Sequence, residues 1–111
     1  LKIKGRDLAN GVPKEVVVTE RQIAESLAEP VASIVEAVHI ALENTPPELY
    51  ADIVKNGIYL AGGGALLRGL DKRLTDKINI PFHVAEDPLL SVARGTAIAL
   101  KNVNRITFLM R

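Results

Sequence analysis

The sequence predicts an α/β fold, a parallel β-α-β unit with flanking helices preceded by a β-hairpin, and three observations carry that prediction. An apolar run at residues 58–61 discharges into Gly62-Gly63-Gly64 and then into Leu66, Leu70, Leu74 and Ile78, spaced every fourth residue. A second apolar run at 81–85 is followed by Asp87-Pro88 and another helical pattern. Strand, helix, strand, helix is the order of a parallel crossover unit. At the start of the chain, residues 1–4 and 15–18 alternate as strands around Asn10-Gly11 and Pro13, which mark a reversal.

Each element has its own local cause. Thr19 with Gln22 three positions on forms a capping box, and Ile23, Leu27, Val31, Ile34, Val38 and Leu42 then recur at helical spacing. Pro30 lies inside this pattern and removes the bond to the Ser26 carbonyl, so a kink or break is expected near Glu29-Pro30. Glu25, Glu29, Glu36 and Glu43 read as the solvated face. Thr45-Pro46-Pro47-Glu48 restarts a helix with Thr45 as N-cap, turns Leu49 and Ile53 inward and ends at Asn56-Gly57. Residues 58–61 are too continuously apolar for a surface strand and predict a buried one. Gly69 begins the regular part of the next helix. Asp87 is expected to cap the last helix with Pro88 at its first position, and Leu89, Val92, Ala93, Thr96, Ala97 and Leu100 form that helix's apolar side. Parallel strands point their loops the same way, so Gly62–Gly64 and Glu86-Asp87 share one face.

Composition narrows the function. At 111 residues with 48% hydrophobic side chains the chain is one domain or a piece of one, with a packed core. A net charge of +1, 4% aromatics and no Trp give neither the basic field nor the stacking surface that nucleic acid requires. There is no Cys, hence no thiolate nucleophile or Cys-based zinc site, and His39 and His83 are too separated for a metal motif. No stretch approaches the roughly 20 apolar residues of a membrane-spanning helix, so a soluble, cytoplasmic chain is expected. The only Met is Met110 and the chain opens on Leu1-Lys2-Ile3-Lys4 as though in mid-strand, the expected mark of a fragment.

Consecutive glycines let a flat or charged ligand touch the main chain, and free N–H groups at a following helix start favour an anion. A bare Gly-Gly-Gly also serves as a flexible connection with no ligand. Arg68, Lys72, Arg73 and Lys77 are spaced as a solvated helix face rather than a basic patch. Glu86 and Asp87 are adjacent and diverge, and Asp87 has a capping role, so neither is read as catalytic. The apolar tail 106–111 suits docking on a membrane or partner, or covering another part of its own fold.

The run from Ile58 to Leu70, together with Ile80-Pro81-Phe82-His83-Val84-Ala85-Glu86-Asp87-Pro88 and Val92-Ala93-Arg94-Gly95, resembles the end of the MreB family of bacterial actin-like proteins. Gly5-Arg6-Asp7-Leu8, Gly11-Val12-Pro13 and Thr45-Pro46-Pro47-Glu48-Leu49 resemble it too, and the likeness runs to about Asn102. It implies part of an actin-like ATPase (ribonuclease H-like) domain, with 1–18 as a hairpin ending subdomain IIB and 19–111 as the C-terminal half of subdomain IIA. In the actin, Hsp70 and sugar-kinase superfamily the strand-plus-glycines element is the adenosine motif. The match assigns Gly62, Gly63, Gly64 and Ala65 to ATP contact, with Leu66, Leu67 and Arg68 on the flanking turn. Gly95-Thr96 resembles the small-residue step of the family's last helix, with Gly95 expected to pack that helix closely on the sheet.

The family resemblance further implies self-association into filaments at the inner face of the cell membrane. It also implies contact with a RodZ-like membrane protein and the cell-wall synthesis machinery, and a role in cell shape. Its alternative is the C-terminal part of another ATPase of the superfamily. None of Asp7, Asp52, Asp71, Asp76 and Asp87 is followed by x-Gly, so the superfamily's phosphate- and magnesium-binding hairpins have no match here. No catalytic residue or magnesium ligand is therefore assigned to this chain, and hydrolysis is not expected from it alone.

Overall fold

The structure, a computed structural model, describes residues 1–105; the apolar tail read as a docking segment lies outside them. Two strands, two helices and then a strand-helix-strand-helix unit follow in the predicted order. The chain divides into two compact units, Leu1–Ala37 and Val38–Arg111.

In the first unit β1 (Lys2–Arg6) pairs antiparallel with β2 (Pro13–Val17), with Ile3 opposite Val16 and Lys4 opposite Glu15. Asp7 shapes the reversal: its side chain accepts from the Ala9 amide at 2.9 Å and its carbonyl from the Gly11 amide at 2.7 Å. Gly11 takes φ +66°, a conformation that favours glycine. Helix α1 (Glu20–Glu43) begins with the predicted capping box. The Thr19 amide donates to Gln22 Oε1 at 2.9 Å and the Gln22 amide to Thr19 Oγ1 at 3.2 Å. Thr19→Ala should destabilise the protein by about 1 kcal/mol in urea unfolding, and a loss below roughly 0.3 kcal/mol would show the cap to be dispensable.

The break expected at Pro30 does not occur; α1 is continuous through it. Proline removes one bond of the ladder, and the hydroxyls of Ser26 and Ser33 add bonds to the carbonyls of Gln22 and Glu29 on either side. The inward stripe is as expected at four of its six positions, with Val35 covered in place of Ile34. Leu27, Val31, Val35, Val38 and Leu42 are the covered residues, whereas Ile34 and Ile23 are exposed.

In the second unit Thr45 ends one helix instead of starting the next. Its hydroxyl donates to the Ala41 carbonyl at 2.7 Å, and α2 (Pro47–Asn56) starts at Pro46 with no side-chain cap. A carbonyl left without a partner at the end of α1 competes for the same hydroxyl, and here it wins. Leu49, expected inward, is exposed, while Ile53 is partly covered. Helix α2 stops at Gly57, whose φ of +83° turns the chain into β3 (Ile58–Leu60).

Strand β3 pairs in parallel with β4 (Phe82–Val84), Ile58 opposite Phe82 and Leu60 opposite Val84. Between them α3 (Leu70–Ile78) buries Leu70, Leu74 and Ile78, which with Ile80, Phe82 and Ala65 make the core. The Thr75 hydroxyl accepts from the Phe82 amide at 3.0 Å and ties α3 to β4.

Two further burial expectations fail. Tyr59 in β3 is 69% exposed and stacks obliquely on His83 at 5.2 Å, so one face of the sheet is open. Helix α4 (Ser91–Lys101) has no buried residue, leaving Val92 and Leu100 uncovered by any described element. A Cβ added at Gly95 would meet nothing within 4 Å, so the close packing expected there is absent among the described residues. No described helix is long and apolar enough to cross a membrane.

Candidate functional site at the glycine loop

The C-terminal ends of β3 and β4 lead into one face, as the parallel pairing requires. After Leu60 the chain reaches Gly62 at φ 82° and ψ 176°, a region essentially reserved for glycine. The Gly62 amide donates to the Pro88 carbonyl at 2.8 Å, and the Ala85 amide to the Leu60 carbonyl at 2.9 Å, so the two loops are stitched together.

The glycines do not enter a long helix directly. A single 3₁₀ turn, Gly63–Leu66, intervenes; the Ala65 amide bonds the Gly62 carbonyl and the Leu67 amide the Gly64 carbonyl. Leu67 is extended and Gly69 takes φ 82° before α3 begins. The fourfold spacing of Leu66 with Leu70 is therefore coincidental: Leu66 lies outside α3 and is 58% exposed. Leu67 and Arg68 are also exposed, and Ala65 alone of the candidate residues is buried.

The turn leaves backbone donors uncommitted. The amides of Gly63 and Gly64 donate to no acceptor among the described residues, and both glycines are exposed. A Cβ at Gly62 or Gly64 would meet nothing within 4 Å, whereas one at Gly63 would touch the Leu89 side chain at 3.5 Å. The space beside Gly62 and Gly64 is open to a ligand that contacts main chain. Leu66, Leu67 and Leu89 add apolar surface nearby, and the donor set suits a planar or anionic group. Among the described residues no three acidic or imidazole side chains gather as a metal site.

Asp87 differs from its expected role. It adopts a left-handed conformation (φ 47°, ψ 64°), makes no side-chain cap, and pairs its Oδ2 with Arg94 Nη2 at 2.8 Å. Leu89 and Arg94 were the contributors that sequence reasoning missed. Asp87 lies outside α4, so helical periodicity does not link it to Arg94, and opposite charge is the one sequence signal that marks the pair.

This glycine loop on a parallel pair, behind a hairpin and two helices, is a piece of the actin-like α/β fold. The match to solved structures bears that out. The crystal structure of MreB5 of Spiroplasma citri bound to ADP aligns with 93% of this chain and 31% of its own, at 42% identity and a TM-score of 0.88. The same protein bound to AMPPNP aligns with 100% of this chain and 33% of its own, at 39% identity and a TM-score of 0.89.

The family model for MreB/Mbl protein matches residues 1–108, and the chain belongs to that family. It is 46% identical over 106 residues to the cell shape-determining protein Mbl of Bacillus cereus, and 49% over 104 residues to the cell shape-determining protein MreB of Escherichia coli. Those alignments cover 96% and 94% of this chain but 32% and 30% of the relatives, so the chain spans about a third of their length. Family membership sets aside the reading as another superfamily ATPase.

Proposed function

We propose that this chain forms the adenosine side of the nucleotide site in a bacterial actin-like filament subunit. Gly62, Gly63, Gly64 and Ala65 contact ATP or ADP through their main chain, with Leu66, Leu67 and Arg68 on the flanking turn. The observation that carries this is the open space beside Gly62 and Gly64 with two uncommitted amides, in a fold whose relative from Spiroplasma citri was solved with ADP and with AMPPNP. On this reading residues 1–18 end subdomain IIB and 19–111 form the C-terminal half of subdomain IIA.

The chain's share of the chemistry is binding and orientation. Phosphoryl transfer depends on positioning and charge neutralisation. The magnesium and phosphate ligands for it belong to the family's Asp-x-Gly hairpins, which have no match in this sequence. The assembled subunit polymerises with copies of itself at the inner face of the membrane, works with a RodZ-like protein and the wall-synthesis machinery, and sets cell shape. Pelleting and electron microscopy test this: the full-length protein should form filaments with ATP and few without nucleotide. Equal sedimentation in both conditions, or none in either, would overturn the filament reading.

A further inference from the structure

We infer that Arg94 is a positioning residue for the glycine loop, acting through Asp87; the inference rests on the nucleotide site proposed above. The connection runs through a short series of direct contacts. Arg94 Nη2 holds Asp87 Oδ2 at 2.8 Å. Asp87 sits at φ 47°, a conformation unfavourable for a residue with a Cβ, so its backbone needs an external hold to stay there. The Asp87 carbonyl accepts from the Leu90 amide at 2.8 Å and closes the turn Pro88–Leu90. Within that turn Pro88 is buried and its carbonyl accepts the Gly62 amide, while Leu89 lies against Gly63.

Arg94 on α4, through Asp87, thus holds the turn that holds Gly62, and it does so from a position that needs no contact with ligand. Gly62 can adopt many backbone conformations, and its bond to the Pro88 carbonyl helps select the one seen here, in which the Gly63 and Gly64 amides are uncommitted and the space beside Gly62 and Gly64 is open. Loosening the hold releases the loop into conformations that bind nucleotide less well, which lowers apparent affinity in proportion to the competent fraction. Because both side chains are about half exposed, 51% and 57%, the pair is screened and its effect is a modest one.

Three variants of the full-length protein test this: Arg94→Ala, Asp87→Asn and Arg94→Lys. Asn tolerates the left-handed conformation as well as Asp does, so Asp87→Asn removes the charge and little else. Two readouts are taken, the affinity for a fluorescent ADP analogue and the hydrogen-exchange protection of the Gly62 amide without nucleotide. Arg94→Ala and Asp87→Asn should each weaken binding about three- to five-fold, the range an exposed ion pair supports. Combining them should do no more than either alone, and Arg94→Lys should restore most of the loss. Protection at Gly62 should fall in the same variants that lose affinity. Unchanged affinity with lost protection, or lost affinity with full protection, would overturn the inference. A wild-type protein that binds no ADP would instead overturn the nucleotide site, and would be recognised because the exchange measurement needs no ligand.

Discussion

Gly64→Val should weaken ATP and ADP binding by about 100-fold or more, roughly 2.7 kcal/mol, while leaving the protein at least as stable as before. Two properties of the position separate these effects. Its φ lies outside the left-handed region, and a Cβ there meets nothing within 4 Å, so the native backbone accepts a Cβ without strain. Loss of glycine freedom in the unfolded chain adds a small stabilisation, about 0.4–1 kcal/mol. The valine methyls would occupy the open space beside Gly64 in which the proposed nucleoside contact with the main chain is made. Calorimetric titration with ADP beside a urea unfolding curve reads both quantities. Affinity within threefold of wild type would mean that the ligand does not pass this glycine.

Gly57→Ala should act in the opposite manner, removing about 3 kcal/mol of stability. An alanine at φ +83° is strained on its own account, by about 1–3 kcal/mol. Its Cβ would also stand 2.7 Å from the Pro81 carbonyl oxygen and 2.8 Å from His83 Nε2. The imidazole can swing away; the carbonyl is backbone. That oxygen accepts the Ile58 amide at 2.8 Å, the first bond joining β3 to β4, so relieving the clash pulls the parallel pair apart at its start. The urea midpoint of the full-length protein should fall with little change in the slope of the transition. A loss under about 1 kcal/mol would contradict the strained geometry at Gly57.

The sequence made local devices legible and left non-local ones obscure. Thr19 and Gln22 determine the start of α1 by bonds three residues apart, and the parallel pairing of β3 with β4 follows from the order of elements. The glycine loop stands out as a candidate because glycine is the one residue whose absence of a side chain is itself the signal. Leu66 was misplaced because a fourfold spacing persists by chance across a 3₁₀ turn and the left-handed Gly69, which periodicity cannot see. Thr45 and Asp87 are expected to cap the backbone of the following helix, yet the Thr45 hydroxyl bonds the Ala41 carbonyl behind it and the Asp87 carboxylate takes the Arg94 side chain, and competition between partners is decided by geometry rather than by residue type. The burial of Tyr59 and α4 was overestimated because an apolar pattern states that a face needs cover, not that the cover is nearby in the chain. Relatives about three times as long have ample sequence to supply it.

The most direct measurement is an NMR titration of the full-length protein labelled with ¹⁵N only at glycine. Addition of ADP should shift the Gly62, Gly63 and Gly64 amides strongly and leave Gly5 and Gly11 in the hairpin close to their free positions. Large shifts at Gly5 and Gly11 with none at Gly62–Gly64, or saturation with ADP that moves none of these amides, would contradict a nucleotide site built on the glycine loop.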